Sequence, residues 1–309
     1  MLSSNSLVGI DLGGTKTEIA VIQNNGNIYF RHRVSTPQSN YPAVLNTICN
    51  LISLARTECD LSNNEPIGLG IPGCYDHKAK KVRGANTQIL NGKNIKKDLT
   101  DRLKCEVSID NDANCLALSE SVDGSAKNAD LVFAVIIGTG CGSGLSFKKE
   151  LWSGQNFLAG EWGHNPIPWL DSSEPFRLCW CGKKNCIETW LSGPGFSLTH
   201  ALNVGEKVSP INIVNRARRG DKGCVQSLKL YLTHLGKALA SVVNILDPDM
   251  IVLGGGLSQI KEIYQNVPQI ITTYSFTKSA HTPIKKAYHG DSSGVRGAAW
   301  LSKPQQKVN

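Results

Sequence analysis

The chain has 309 residues, which is enough for one large domain or two domains of ordinary size. Its hydrophobic content of 40% and charged content of 19% are typical of a globular protein with a buried core, and no apolar run reaches the ~20 residues of a membrane span. The net charge of +8 comes from dispersed lysines and arginines without interleaved aromatic residues, which disfavours nucleic-acid binding. The N-terminus has no signal-peptide pattern, so we expect a cytoplasmic protein.

The first motif is a glycine turn between two short apolar strands, predicted at residues 7–12 and 17–22. Asp11 closes the first strand, and the turn consists of Gly13, Gly14, Thr15 and Lys16. Glycines let backbone N–H groups approach an anion, while the threonine adds a hydroxyl group and the lysine a positive charge. The pattern predicts a phosphate cradle, although an ordinary hairpin would show the same residues.

The next segments predict a third strand at 28–34, a helix that begins at Pro42, and a buried strand at 67–71. Residues 74–92 are polar and read as an irregular loop that could face a ligand. Asn86 lies in this loop.

A further strand, predicted at 105–109, leads into the run Asp110-Asn111-Asp112-Ala113-Asn114 at the start of a helix over 113–122. The helix macrodipole stabilises a carboxylate at such a position in its ionised form. Asp112 is therefore either a helix cap or an ionised base at the end of a strand.

A second glycine turn repeats the architecture of the first. An apolar strand predicted at 131–137 is followed by Gly138, Thr139 and Gly140, and a strand resumes at 145–147. Two such turns in matching contexts, about 125 residues apart, predict a duplicated domain that contributes one phosphate loop from each half.

One histidine and three closely spaced cysteines follow: His164, Cys179, Cys181 and Cys186. Imidazole and thiolate groups in this number are the ligands of a closed tetrahedral Zn²⁺ site. The alternative is three buried free thiols and a surface histidine. Glu161 and Glu188 flank these residues and could accept hydrogen bonds from a polyhydroxylated ligand, or they could be ordinary surface glutamates.

The C-terminal third predicts one long helix over 228–246 with a continuous apolar stripe. A buried strand at 250–253 then ends in Gly254, Gly255 and Gly256. Three glycines after a strand leave room for a flat group such as a base and ribose. A short helix is predicted at 295–301.

Over nearly its whole length the chain resembles the ROK sugar kinases of the actin-like ATPase superfamily. The resemblance rests on five motifs together: the first glycine loop, Asn111-Asp112-Ala113-Asn114, Gly138-Thr139-Gly140, Glu161-x-Gly163-His164 and the cysteine cluster. It implies an α/β chain with the actin-like ATPase (ribonuclease H-like) fold and two duplicated domains with a cleft between them. The expected domains are 1–118, with the C-terminal helix 294–309 packed back on it, and 119–293, which carries the zinc loop.

The resemblance also implies roles for the residues named above. It makes Asp112 the catalytic base, Asp11 a residue that helps to hold Mg²⁺, and His164 a residue that serves both zinc and substrate. The ATP phosphates are expected on the two Gly-Thr loops, and the adenosine beside Gly254, Gly255 and Gly256. The sugar is expected to contact Asn111, Glu161, His164 and Glu188, with Gly73 and Asn86 lining its pocket.

Within the family, the residues of three segments are most similar to those of the bacterial fructokinase (manno-fructokinase) branch. The segments are 133–142, Gly163-His164-Asn165-Pro166 and 289–294. The prediction is ATP-dependent phosphorylation of fructose, with mannose as a second substrate, at the 6-hydroxyl group. The alternatives are an N-acetylglucosamine kinase, a glucokinase, and a sugar-sensing binding protein or repressor. Many family members form homodimers, but no pattern in this sequence identifies an interface.

Overall fold

The computed structural model describes residues 6–85 and 87–303. The chain forms two compact units: unit 1 is Met1–Gly124 together with Asp291–Asn309, and unit 2 is Ser125–Gly290. The expected boundary between residues 118 and 119 falls inside a helix, Asp112–Val122, and unit 1 retains the whole of that helix. The hydrogen-bonded turns of a helix hold its residues together, so the division follows the helix.

The elements are numbered here in chain order. The strands are β1 (Ser6–Leu12), β2 (Lys16–Gln23), β3 (Ile28–Ser35), β4 (Ile67–Ile71), β5 (Cys74–Asp76), β6 (Lys81–Arg83), β7 (Val107–Asn111), β8 (Leu131–Ile137), β9 (Cys141–Phe147), β10 (Glu150–Leu151), β11 (Met250–Gly254) and β12 (Ile284–Lys286). The helices are α1 (Tyr41–Cys59), α2 (Ile95–Leu103), α3 (Asp112–Val122), α4 (Glu188–Leu191), α5 (Gly193–Val204), α6 (Pro210–Arg218), α7 (Lys222–Leu246), α8 (Lys261–Tyr274) and α9 (Ser293–Leu301). Short 3₁₀ helices lie at Gln88–Leu90, Glu161–His164, Gly256–Gln259 and Gly290–Ser292.

Unit 1 is built on a mixed sheet in the order β3-β2-β1-β4-β7. The pairs β1–β2 and β2–β3 are antiparallel, whereas β1–β4 and β4–β7 are parallel. The C-terminal helix α9 packs directly on this sheet: a Cβ atom at Gly9 would lie 2.2 Å from the backbone nitrogen of Ala299, and one at Gly68 would lie 1.7 Å from the carbonyl oxygen of Ala298. Glycines in β1 and β4 therefore make room for the helix. Residues 304–309, which the prediction included in it, lie outside the described residues.

Unit 2 repeats the topology of unit 1. Its sheet has the order β10-β9-β8-β11-β12, again with two antiparallel pairs followed by two parallel pairs. The long helix α7 has a buried apolar stripe that includes Leu228, Leu232, Leu235 and Leu239. The predicted duplication is thus visible as the same strand order and direction in both units.

Several predicted elements have different bounds in the structure. Residues 74–92 are not irregular throughout, because β5 and β6 form an antiparallel hairpin in which Tyr75 and Val82 are buried. Strands of three residues are too short for a period-2 pattern to be recognised. The strand predicted at 105–109 is β7, Val107–Asn111, because its pairing with β4 continues as far as Asn111.

The second glycine turn is shorter than its sequence indicates. Cys141 already pairs with Ile137, so Gly142 and Gly144 lie inside β9 and not in a loop. The long helix begins at Lys222 instead of 228, since Asp221 caps its first turn through the backbone N–H group of Cys224. Among the described residues, none of the helices combines the length and apolarity required to traverse a lipid bilayer.

Candidate functional site

The first glycine turn of unit 1 is held open by residues from the end of β3. The backbone N–H group of Gly13 donates to the carbonyl oxygen of Lys16 at 2.9 Å, which closes the turn. The Thr36 hydroxyl donates to the carbonyl oxygen of Gly13 at 2.8 Å, and the Gln38 amide donates to that of Gly14 at 2.6 Å. Gly14, Thr15 and Lys16 are exposed. The turn therefore presents backbone groups and a cationic side chain to solvent, as a phosphate loop requires.

Asp11 lies beside this turn, at the end of β1 and against the start of α9. A Cβ atom at Gly294 would be 2.5 Å from the Asp11 carboxylate. Burial, and then the negative charges of Asp112 and Glu18, raise the pKa of the Asp11 carboxyl group from 3.8 to about 7. A divalent cation would relieve both the desolvation and the repulsion, and carboxylate oxygens are the ligands that Mg²⁺ prefers. This end of the unit 1 sheet therefore fits the expected magnesium site.

The two candidate residues at the end of β7 have separate structural roles. Asn111 is the N-cap of α3, and its side-chain oxygen accepts from the backbone N–H group of Asn114 at 2.7 Å. Asp112 is the first helical residue and is exposed, and its carboxylate accepts from the backbone N–H group of Ala113 at 2.8 Å. The cap interpretation of Asp112 is wrong, because Asn111 occupies that position. The neighbouring Asp110 is held by the Asn114 amide at 2.6 Å.

Gly73 and Asn86 are the two residues predicted to line the sugar pocket. Gly73 has φ 74°, and a Cβ atom there would lie 2.4 Å from the carbonyl oxygen of Arg83. Only glycine fits this turn into the β5–β6 hairpin, which explains the residue without a ligand. Asn86 lies outside the described residues.

The second glycine turn borders a large cavity in unit 2. The carbonyl oxygen of Gly138 accepts from the backbone N–H group of Gly193 at 2.7 Å, which joins the turn to the start of α5. The cavity has a volume of about 1170 Å³, slightly above the range of about 300–1,000 Å³ that is typical of small-molecule sites. Its lining comprises Gly138, Thr139, Gly193, Pro194, Ser197, Leu198, Ala201, Lys207, Val208, Ser209, Pro210, Gly256 and Leu257.

The remaining glycines of the two predicted nucleotide loops lie outside that lining. Gly140 is turned towards Glu188, whose carboxylate would be 2.9 Å from a Cβ atom there. Gly254 is the last residue of β11. Gly255 has φ 80°, and a Cβ atom would meet the carbonyl oxygen of Ile137 at 2.5 Å. Gly255 is therefore explained by close backbone approach, and Gly140 by the close approach of the Glu188 carboxylate.

The sequence motifs did not predict most of the residues that line this cavity. Its wall is formed in part by the first turns of α5 and α6, where Ser192 and Ser209 are the N-cap residues and a proline follows in each helix. Helix N-termini present unpaired N–H groups that attract anions. Apolar residues of the lining, such as Leu198 of α5 and Leu257 of the 3₁₀ helix Gly256–Gln259, could pack against a flat base. The Ser-Gly-Pro and Ser-Pro sequences are helix-start signals that would have located both turns.

The four predicted metal ligands lie together in unit 2. The ligand atoms of His164, Cys179, Cys181 and Cys186 all lie within 4.8 Å of one another. The Cys179 sulfur is 3.7 Å from His164 Nδ1, and the sulfurs of Cys181 and Cys186 are 3.6 Å apart. A tetrahedral zinc site with Zn–S bonds of about 2.3 Å requires ligand separations of about 3.8 Å, so the arrangement fits this ion.

Two residues with left-handed backbone conformation shape the cysteine loop. Gly182 has φ 83° and Asn185 has φ 52°. Asparagine adopts this conformation more readily than most residues, and the Asn185 side chain also accepts from the backbone N–H group of Arg177 at 2.8 Å. Asn185 can therefore take a position at which a glycine would be expected.

Glu161 and His164 lie on one 3₁₀ turn that is pressed onto β9. A Cβ atom at Gly163 would be 2.0 Å from the carbonyl oxygen of Cys141, and one at Gly160 would be 2.4 Å from that of Ser143. The turn can approach the strand this closely only because both positions are glycine.

Glu188, the first residue of α4, is bonded at both oxygens. Its Oε1 accepts from the Trp180 indole nitrogen at 2.6 Å, and its Oε2 accepts from the backbone nitrogen of Cys141 at 3.0 Å. Glu188 is thus connected to the cysteine loop and to the end of the second glycine turn.

Unit 2 therefore gathers the cluster of predicted metal ligands, two partly buried glutamates and a cavity with helix N-termini. Unit 1 gathers an exposed glycine turn, a carboxyl group with a raised pKa and an exposed aspartate at a helix start. Carboxylates, anion-binding turns and a cavity for a flat group are the components that phosphoryl transfer to a hydroxyl group requires.

The chain is similar to proteins of one family over nearly its whole length. The profile of the ROK family matches residues 7–305. The N-acetyl-D-glucosamine kinase of Vibrio vulnificus (strain YJ016) is 37% identical over 299 residues, which are 95% of this chain and 98% of that relative. Among solved structures, a ROK hexokinase from Thermus thermophilus is similar with a TM-score of 0.85 at 26% identity, over 96% of this chain and 97% of that chain.

A ROK family glucokinase from Streptomyces griseus, in complex with glucose and AMPPNP, is similar with a TM-score of 0.78 at 26% identity, over 97% of this chain and the whole of that chain. None of these proteins is a fructokinase, so the predicted fructokinase branch finds no support among them. The predicted α/β fold of the actin-like ATPases is confirmed, and the chain belongs to the ROK family.

Proposed function

We propose that the chain is an ATP-dependent sugar kinase that phosphorylates N-acetylglucosamine at its 6-hydroxyl group. The observation that carries this proposal is the likeness to an N-acetyl-D-glucosamine kinase over nearly the full length of both chains. The sequence motifs are also consistent with this substrate, which is the predicted alternative to fructose. The phosphate turns, the carboxylates and the metal cluster are all compatible with it.

The nucleotide is assigned to the cavity of unit 2 and to the two glycine turns. The apolar wall of α5 and α6 would accommodate the base, next to Gly256. Gly138 and Thr139 would contact the phosphates, aided by the helix N-termini. In unit 1 the turn Gly13–Lys16 would hold phosphate oxygens, and Asp11 would contribute to the site of Mg²⁺. That ion supplies charge neutralisation during phosphoryl transfer.

Asp112 is proposed as the general base. It is an ionisable carboxylate at the end of a strand, exposed to solvent, and the start of α3 favours its charged form. It would accept the proton of the attacking hydroxyl group, a role worth about 10²–10⁴-fold in rate. The transition state is loose and its charge is spread, so the remaining residues act through positioning and electrostatics.

The proposed sugar contacts are those that the family resemblance implies: Asn111, Glu161, His164 and Glu188, with Gly73 and Asn86 as pocket residues. His164 would bind the metal through Nδ1, the nitrogen beside Cys179, and the sugar through Nε2. The cluster of His164, Cys179, Cys181 and Cys186 would hold a structural Zn²⁺. Its proposed role is to fix the loop that carries the sugar-binding side chains, since metal binding and loop folding are linked.

Fructose is the second candidate substrate. It is favoured by the sequences of the segments at 133–142, 163–166 and 289–294, which resemble those of the fructokinase branch. Two of these segments include the second glycine turn and the start of α9, which have no contact described above that discriminates between hexoses. The third segment contains His164, which is assigned to the sugar whichever hexose is bound. The full-length likeness to an N-acetyl-D-glucosamine kinase therefore takes precedence.

The test is ATP consumption by the purified protein with N-acetylglucosamine, fructose, mannose and glucose, each with and without Mg²⁺. We expect the highest kcat/KM for N-acetylglucosamine and no turnover without the metal. Asp112→Asn, prepared in parallel, controls for contaminating kinases. A lead for fructose would transfer the assignment to the second candidate, and the absence of turnover with every sugar would refute a sugar kinase.

A further inference from the structure

Trp180 stands between two metal-ligand cysteines and has no role in the assignments above. Its side chain is 67% exposed, which is unusual for a tryptophan. Its indole N–H group nevertheless has a specific acceptor, the Oε1 atom of Glu188, at 2.6 Å. Its ring stands edge-on to the His164 ring, with 5.0 Å between centroids and an interplanar angle of 86°. The exposed indole is therefore oriented by two contacts, the hydrogen bond to Glu188 and the edge-on contact with the His164 ring.

The carboxylate that receives this bond is anchored a second time. Glu188 Oε2 accepts from the backbone nitrogen of Cys141 at 3.0 Å. Gly140 leaves the space that this contact needs, because a Cβ atom there would be 2.9 Å from the same oxygen. The second glycine turn and the cysteine loop thus approach the carboxylate from different parts of the chain.

Two donors in different directions restrict a long side chain to one rotamer. A glutamate without such partners samples several rotamers and loses that freedom when it binds a ligand. A carboxylate oxygen has two lone pairs, so each Glu188 oxygen retains acceptor capacity for a sugar hydroxyl group after its first bond. Preorganised acceptors of this kind bind more tightly than mobile ones.

We propose that Trp180 is a positioning residue of the sugar site: its indole N–H group, together with the Cys141 N–H group, holds the Glu188 carboxylate in the orientation that binds the sugar. This inference rests on the proposed function, in which Glu188 contacts the substrate. It assigns to the metal loop a task beyond holding the ion, because the residue between the first two cysteines acts on the glutamate eight positions further along the chain.

The test compares Trp180→Phe, which keeps an aromatic ring but removes the N–H donor, with wild type. Trp152→Phe is the matched control, because Trp152 is an exposed tryptophan of the same unit that lies outside the cysteine loop. Sugar affinity is measured by calorimetry, and zinc content, thermal stability and the KM for ATP are measured on the same preparations.

We expect Trp180→Phe to raise the Kd and KM for the sugar about tenfold, the factor that corresponds to about 1.4 kcal/mol. This is near the lower limit for a hydrogen bond to a charged group, as suits an exposed donor. Zinc content, thermal stability and the KM for ATP should stay at the wild-type level, and Trp152→Phe should change none of these values. In a double-mutant cycle, Trp180→Phe should add less than twofold to the effect of Glu188→Gln, because both act through one carboxylate.

A readout without sugar completes the experiment. In protein labelled with ¹⁵N at the indole nitrogens, Trp180→Phe identifies the Trp180 signal, and Glu188→Gln should shift that signal more than any other. An unmoved signal would overturn the contact, and loss of zinc from Trp180→Phe would overturn the positioning role in favour of a role in folding the loop. If wild type binds a sugar and Trp180→Phe binds it equally well, Trp180 has no part in the site. If wild type binds no sugar at all, the proposed function itself fails.

Discussion

The replacement Gly163→Ala tests whether the 3₁₀ turn carrying Glu161 and His164 must lie as close to β9 as it does. The added Cβ atom would be 2.0 Å from the carbonyl oxygen of Cys141. Favourable C···O contacts lie at about 3.3 Å or more, so the turn must retreat by about 1.3 Å. The Cys141 carbonyl group cannot move aside easily, because it belongs to the backbone of β9, which is paired with β8.

The displacement has three consequences of different size. Overpacking of this kind costs about 1–3 kcal/mol of folding free energy. His164 moves with the turn and away from the three sulfur atoms. Since the loss of a hydrogen-bond partner of a metal ligand already costs about 10–100-fold in metal affinity, we expect a loss of at least this size. Glu161 moves as well, and a misplacement of about 1 Å in an active site can cost about 100-fold in kcat/KM.

The variant would be compared with wild type by thermal denaturation, by zinc content after dialysis against a weak chelator, and by kcat/KM with the preferred sugar. Gly205→Ala is the control: Gly205 has φ 82° and open space around a Cβ atom, so alanine there should cost only about 1–2 kcal/mol of backbone strain. It should leave zinc content and kcat/KM unchanged. Gly163→Ala with full zinc content and kcat/KM within twofold of wild type would refute the reasoning.

Three further predictions concern Asp112, Cys181 and Asp11. Asp112→Asn should lower kcat by about 10²–10⁴-fold while the sugar Kd stays within about threefold, and a near-normal kcat would exclude Asp112 as the base. Cys181→Ser should release the zinc measured by metal analysis and lower Tm by at least about 4 °C, and a metal-free variant with wild-type Tm and activity would contradict a structural zinc. Asp11 carries a partly buried carboxyl group whose pKa rises from 3.8 in the unfolded chain to about 7, so its ionisation should destabilise the metal-free protein progressively over this pH interval. Asp11→Asn should therefore be more stable than wild type at pH 8 and equally stable near pH 4, whereas a pH-independent difference in Tm would show that the carboxyl group titrates normally.

Much of the fold was predictable because its signals are local. The strands β4 and β8 are continuous apolar runs, β1 and β2 each contain a shorter apolar run, and the buried stripe of α7 repeats at helical spacing. The two glycine turns in matching contexts predicted the duplication that both sheets show. Short elements without a repeating pattern, such as β5 and β6, were missed because three residues cannot establish a period.

The roles of individual polar residues were less predictable. Asp112 and Asn111 are adjacent and both are common N-cap residues, so sequence reasoning could not choose between them. The choice depends on where strand β7 ends, and this is decided by its pairing with β4. Likewise the bond from Trp180 to Glu188 joins residues whose spacing in the chain carries no signal.

By itself the sequence determined the α/β class, the duplication, the family resemblance and the identity of the four clustered histidine and cysteine residues, since each is a pattern of neighbouring residue types. It did not determine that the first turns of α5 and α6 contribute to the wall of the unit 2 cavity, nor that Gly163 and Gly255 serve close backbone approach and Gly140 the approach of the Glu188 carboxylate. These features arise only when segments remote in the chain are brought into contact. The free space around a glycine and the partner of a carboxylate are properties of the packed chain, and local residue preferences do not encode them.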